Sequence, residues 1–154
     1  MLYASLVCRR LQWKNPIVEV RQSMSDQPRI RILCVDDHPL FREAIAAMIT
    51  FQPDLLLVGE ASSGTGGIRK FKEQRPDVTL MDLRLPDMSG VDALIAIRTD
   101  APDARTIMLT TFEGSADVQR ALEAGASAYL LKSMRPRELV NAIRQVHAGK
   151  KPAE

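Results

Sequence analysis

Three carboxylates, a hydroxyl and an amine each stand directly after a short, continuous apolar run. Asp36-Asp37 follow Ile32-Leu33-Cys34-Val35, Asp82 follows Val78-Thr79-Leu80-Met81, Thr110 follows Ile107-Met108-Leu109, and Lys132 follows Tyr129-Leu130-Leu131. Runs of this length read as buried strands, and in a parallel sheet all strand C-termini open on one edge. The five side chains therefore converge in one crevice, which suits a hard divalent cation and a phosphoryl group.

Each residue has a plainer reading alone. An acidic pair can be a polar turn, an Asp before a Pro-Gly loop is most often a turn former, Thr110 fits any strand, and Lys132 fits any surface. Joint placement at four strand ends favours chemistry. A divalent cation relieves the repulsion between Asp36 and Asp37 by taking oxygens from Asp37 and Asp82, with Asp36 binding directly or through water. Asp82 can then attack phosphorus with its other oxygen, and a carboxylate already ionised near neutral pH needs no general base. The step needs charge neutralisation on the transferring oxygens, from the cation, Lys132 and the Thr110 hydroxyl. His38 beside the acidic pair reads as a loop or helix-start residue, because an oxygen-rich site selects hard cations. Gly64-Thr65-Gly66-Gly67 lacks dinucleotide or Walker spacing and reads as the start of a helix.

The elements that must position these groups alternate from Arg29 onward. Strands are expected near 30–35, 55–60, 78–82, 106–110 and 128–131. Between them lie helical stripes: Leu40, Phe41, Ala44, Ile45, Met48 and Ile49; Ile68 and Phe71; Val91, Leu94 and Ile95; Val118, Ala121 and Leu122; and Leu139, Val140, Ile143 and Val146. Pro39 and Pro136 suit first helical turns, and Gly125 and Gly149 suit helix stops. This predicts an α/β domain of (βα)5 layout around a five-stranded parallel sheet.

Composition sets the outer bounds. With 154 residues, 45% hydrophobic and 26% charged, the chain fits one globular domain. No apolar run approaches the ~20 residues of a membrane helix, so a cytoplasmic location is expected. Cys34 lies in an apolar strand and Cys8 far from it, without metal spacing, so neither a disulfide nor a thiolate site is expected. The net charge of +2 resides in residues 1–28, leaving 17 basic and 17 acidic residues in 29–154. A neutral folded part gives no support to nucleic-acid binding by this domain.

Assembled, these motifs resemble a response-regulator receiver domain of two-component signalling. The resemblance runs from about Arg29 to Gly149 and rests on Asp36-Asp37, the segment from Asp82 to Gly90, Thr110-Thr111, Gly125-Ala-Ser-Ala-Tyr129 and Leu131-Lys132. The stretches Val35–Arg42 and Ala124–Lys132 are most similar to the NarL/FixJ (LuxR-type) subfamily. The resemblance implies a doubly wound, flavodoxin-like sheet of order 2-1-3-4-5. It also implies that Asp82 is the phosphoacceptor and that Asp36, Asp37, Asp82 and the backbone carbonyl of Arg84 hold Mg2+. Thr110 and Tyr129 become the switch pair and Lys132 the phosphate-contacting cation. A sensor histidine kinase is the implied donor, phosphorylation-linked homodimerisation the implied response, and DNA is reached only through a C-terminal helix-turn-helix outside this chain. Three positions depart from the family pattern: Ser133 replaces the common Pro after the lysine, Arg84 is a long cation two residues beyond the acceptor, and Thr111 is larger than usual.

Residues 29–149 are thus expected to be the receiver and 150–154 the start of an interdomain linker. A stand-alone or degenerate receiver acting as a binding module is the alternative, and intact Asp82, Thr110 and Lys132 count against degeneracy. A haloacid-dehalogenase-type hydrolase would place an Asp-x-Asp after strand one, and Asp36-Asp37-His38 lacks it. Residues 1–28 break the strand and helix rhythm and are expected to be an N-terminal extension, disordered or a gene-start artefact; Met24 opens a short polar lead-in to the first strand, so residues 1–23 read as an upstream extension, with an interaction tail as the alternative. Protein expressed from the native gene should then begin at Met24; a mass-spectrometric peptide ahead of it would overturn that expectation.

Overall fold

The computed structural model describes residues 28–111 and 114–152. Cys8, Trp13, the Ile17–Val20 stretch and Met24 lie outside the described residues. Five strands form: β1 (Ile30–Val35), β2 (Leu55–Ala61), β3 (Val78–Asp82), β4 (Thr106–Thr110) and β5 (Ala128–Leu131). Helices α1 (Pro39–Thr50), α2 (Gly64–Gln74), α3 (Gly90–Asp100), α4 (Ser115–Glu123) and α5 (Pro136–His147) alternate with them. All pairings are parallel and the order is β2-β1-β3-β4-β5. The chain thus moves outward from β1 in one direction and then, after β2, in the other, which leaves a crevice above β1 and β3.

Helices cover both faces, so the central strands are apolar on both sides and read as continuous runs. On one face Ile45 and Ile49 of α1 and Leu139, Val140, Ile143 and Val146 of α5 pack on Ile32, Cys34, Leu80, Ile107 and Leu109. On the other, Phe71 of α2, Val91, Leu94 and Ile97 of α3 and Ala121 of α4 pack on Leu33, Val35, Met81 and Met108. The Cys34 thiol is buried, and that burial, with Asp36 nearby, pushes its pKa up to about 12, so it is an inert core residue.

The expected stripes need narrowing at their edges. Leu40 is 80% exposed, Ile95 48% and Leu122 50%, and Ala44 is exposed as well. Leu40 stands on the first turn of α1, turned away from the sheet, while Phe41 and Met48 lean on the core beside Ile45 and Ile49. Periodicity marks an apolar arc of a helix, whereas the sheet covers only the middle of it.

Pro39 and Pro136 occupy first turns, as expected. Gly125 has φ +93°, a left-handed conformation that favours glycine, whereas a Cβ there would meet only the guanidinium end of the flexible Arg98 side chain. Arg75, with φ 47°, closes α2 in the left-handed region.

Candidate functional site

Four of the predicted residues meet at the C-terminal edge of the sheet. Asp36 and Asp37 follow β1 directly, Asp82 is the last residue of β3, and Lys132 follows β5 directly. Asp36 is 1% exposed and Asp82 4%. The Lys132 ammonium lies 2.5 Å from Asp36 Oδ2 and 3.2 Å from Asp82 Oδ2, and is itself nearly buried. Its position is set from two sides. The Lys132 N–H donates to the Thr110 carbonyl at 2.7 Å, and Nζ lies 4.7 Å from the centre of the Phe41 ring.

Asp37 is exposed, at the outer lip. His38 caps the start of α1, and its N–H donates to Asp36 Oδ1 at 2.9 Å in a tight Asx turn. The helix-start reading of His38 therefore holds. The ring does more than that reading allowed, since Nδ1 lies 3.0 Å from Asp36 Oδ1 and 2.9 Å from Asp37 Oδ1. Arg42, one turn into α1, donates to the Asp36 carbonyl at 2.6 Å and so ties the acidic turn to its helix.

Asp82 is held by its own loop. The Arg84 N–H donates to its carboxylate, and the Gly90 N–H donates to the Leu83 carbonyl at 2.7 Å. A Cβ on Gly90 would fall 2.0 Å from the Asp82 carbonyl oxygen, so only glycine lets α3 start this close to β3. Desolvation, then the neighbouring Asp36 charge, raise the Asp82 pKa, and Lys132 offsets part of the rise.

Thr110 ends β4 and is buried at the same edge. Tyr129 stands on β5 opposite Met108, part-buried on the α3 side of the sheet. Thr110 and Tyr129 thus share one face of adjacent strands, diagonal to each other. The Arg84 and Thr111 side chains are exposed beside the crevice. All described peptide bonds, including the one before Ser133, are trans.

One anchoring residue escaped sequence reasoning. Asp87 accepts from the Gly64 N–H at 2.7 Å, the Thr65 N–H at 2.9 Å and the Thr65 hydroxyl at 2.7 Å. A carboxylate from the Asp82–Gly90 loop thereby caps α2, whose first turn holds no acid of its own. That missing acid beside a Gly-rich helix start was the available signal. The three hydrogen bonds, led by the Thr65 hydroxyl, lower the Asp87 pKa to about 2.

Asp36, Asp37, His38 and Asp82 each offer a ligand atom within 4.8 Å of the others. Three carboxylates against one ammonium leave a formal charge of −2 in a largely desolvated cluster. The buried Oδ2 atoms of Asp36 and Asp82 make no aligned hydrogen bond among the described residues. An oxygen-rich donor set with this charge fits a hard dication such as Mg2+.

The sheet order and this crevice define a doubly wound α/β domain with an acidic cluster at the C-terminal edge of its sheet, and comparison with known proteins gives its family. Residues 32–144 match the response regulator receiver domain, and the chain belongs to that family. It is 40% identical over 120 residues to the response regulator protein VraR of Staphylococcus aureus, an alignment covering 78% of this chain and 57% of VraR. The chain thus spans little more than half the length of this relative. A LuxR-family two-component response regulator from Aurantimonas superposes with TM-score 0.77 at 41% identity, covering 80% of this chain and 88% of that one. The receiver domain of the putative response regulator NarL from Mycobacterium tuberculosis superposes with TM-score 0.77 at 32% identity, covering 80% and 99%. These relatives place the chain with the NarL/FixJ regulators. No described helix is long and apolar enough to cross a membrane.

Two stability predictions follow from the pKa directions. The lowered Asp87 pKa means its contribution is complete above the ordinary value of 3.8 and is lost as pH falls through about 2. Asp87→Ala should therefore lower Tm at neutral pH, with the deficit shrinking over that acid range; an equal deficit at all pH would contradict the cap. For Asp82 the sign is opposite, because a raised folded pKa means ionisation costs stability above 3.8. Asp82→Asn should raise Tm by several degrees in chelated neutral buffer and lose that advantage at low pH, as thermal unfolding would show.

Proposed function

We propose that this chain is a phosphorylation-dependent receiver that accepts a phosphoryl group on Asp82. The observation that carries the reading is the buried Asp36–Lys132–Asp82 cluster, with Nζ 2.5 and 3.2 Å from the two carboxylates. Asp82, the member on the central strand, is the nucleophile. Its ionised oxygen attacks phosphorus, and the bond from phosphorus to the donor's leaving group breaks as the acyl phosphate forms, P–N when the donor is a phosphohistidine and P–O when it is acetyl phosphate.

Asp36, Asp37, Asp82 and the Arg84 carbonyl are assigned as the residues that hold Mg2+. When bound, the ion supplies charge neutralisation for the phosphoryl oxygens. Lys132 adds a positive charge on the sheet side, where its Phe41 and Thr110 contacts keep it from turning to solvent. The Thr110 hydroxyl donates to the new phosphoryl group, and Tyr129 follows on the same sheet face. A dianionic group with several acceptor oxygens supplies the differential interaction that favours one of two surface states.

For the whole protein, we assign a cognate sensor histidine kinase as donor, dimerisation on phosphorylation, and a transcriptional output through a DNA-binding segment beyond the linker that starts near Lys150. The 57% coverage of VraR supports this extension. Residues 29–149 are the receiver and the location is cytoplasmic. Autodephosphorylation by water is part of the same proposal, with exposed Arg84 beside the route to Asp82.

Intact mass after incubation with Mg2+ and acetyl phosphate tests the assignment. Wild type should gain one phosphoryl group and Asp82→Asn none. No gain by the wild type from either acetyl phosphate or a phosphorylated histidine kinase would overturn the reading in favour of a binding module.

A further inference from the structure

We propose that the acidic centre also takes a borderline transition-metal dication, of the nickel or zinc type, with the His38 imidazole as a ligand that Mg2+ does not use. The inference rests on the assignment of Asp36, Asp37 and Asp82 as a cation site, and it names a second chemistry for that site.

The geometry divides the carboxylate oxygens into two sets. Asp36 Oδ2 and Asp82 Oδ2 face the Lys132 ammonium. Asp36 Oδ1 and Asp37 Oδ1 face His38 Nδ1, at 3.0 and 2.9 Å, and Asp82 Oδ2 lies 3.9 Å from the same nitrogen. Ligands at ~2.0–2.2 Å from one ion and at right angles to each other stand about 3 Å apart, which is the distance from Nδ1 to each Oδ1 atom. The nitrogen thus stands from each of the two carboxylate oxygens as adjacent ligands of one ion would, and all the ligand atoms lie within 4.8 Å of one another. The backbone fixes this, because the His38 N–H to Asp36 Oδ1 bond at 2.9 Å closes the turn that brings the ring back over the pair.

The contacts the ring nitrogen makes are with the carboxylates of the cluster itself, where a metal ion would stand in place of a proton. It makes no side-chain cap for α1, and it is 64% exposed, so the core does not require it. Its chemistry then decides which ions gain from it. Mg2+ takes oxygen and keeps its waters, so an imidazole adds little to its affinity. Nickel and zinc stand later in the affinity order, and imidazole suits them. The same carboxylates serve both classes of ion, so a bound transition metal competes with Mg2+ and occupies the acceptor carboxylate.

The test is calorimetric titration of the full chain with Ni2+ and, separately, with Mg2+, in wild type, His38→Ala and His147→Ala. These are the chain's two histidines, so the third protein reports on adventitious imidazole binding. Loss of the ligand should weaken Ni2+ binding roughly ten-fold or more, since loss of an outer-shell partner alone costs that much. Mg2+ affinity should change by less than about three-fold, and His147→Ala should leave both unchanged. Equal loss for both ions in His38→Ala, or Ni2+ binding that survives it, would overturn the inference. Ni2+ binding that depends on His38 in a chain taking no Mg2+ would uphold it and overturn the magnesium assignment instead. Mg2+ binding with Ni2+ indifferent to His38 would do the reverse.

Discussion

Two carboxylates, Asp36 and Asp82, are kept out of water against a single ammonium, and the sheet and its loops are arranged around that constraint. Each buried charge costs several kcal/mol of lost hydration, recovered only if the pairing geometry is good. Here one nitrogen serves both, at 2.5 and 3.2 Å, while Asp37 sits outside at the lip. The raised pKa of Asp82 shows that the recovery is incomplete. Such a cluster is an arrangement suited to function more than to stability, and the surrounding elements can be read as what holds it in place.

The sheet order does most of that holding. With β1 beside β3, the turn after β1 and the end of β3 are neighbours, so Asp36 and Asp82 meet without either loop having to reach. Lys132 comes from β5, two strands beyond β3, and a long side chain is needed to cross over β4. Its backbone is pinned to Thr110 and its stem passes Phe41, so little rotamer freedom is left. Removing one partner of a buried pair typically costs ~3–5 kcal/mol, a large part of an ordinary domain's stability, so Lys132 is a structural necessity as well as a chemical one.

The five apolar runs, and the polar residues that follow four of them, were legible because burial on both faces leaves an uninterrupted signal, and strand ends are where a parallel sheet exposes its ladder. Local chemistry also carried Pro39, Pro136, Gly125 and Gly149. Leu40, Ile95 and Leu122 were misjudged for a physical reason, since the pattern gives the width of an apolar arc and not how much of it the sheet covers. Asp87 was not legible because its partners, Gly64 and Thr65, lie more than twenty residues earlier and the pairing exists only once β3 lies beside β1. His38 failed differently: its helix-start role was local and readable, whereas the return of its ring over Asp36 depends on the turn angle. The order 2-1-3-4-5 came from family resemblance, because no pattern within one strand says which strand lies beside it.

The unequal anchoring of the helices bears on how an event at Asp82 could reach the surface. Fully burying a Val, Leu or Ile side chain contributes roughly 1.5–3 kcal/mol, and α5 buries Leu139, Val140, Ile143 and Val146, while α3 buries Val91, Leu94 and Ile97. Among the described side chains of α4, Ala121 alone is buried, and Leu122 stands half in solvent. An exposed ion pair from Arg120 to Asp92 of α3, at 2.9 Å, adds little in water. The helix lying over Tyr129 and following the Thr110 strand is thus the one that the core holds least. Local opening draws on elements with few buried apolar contacts, so a rearrangement at Thr110 meets its smallest resistance there. The same weak anchoring follows from the sequence, because Ser115-Ala-Asp-Val-Gln-Arg-Ala-Leu-Glu123 offers only Val118 and Leu122 as large apolar contacts to any core, beside the small Ala116 and Ala121.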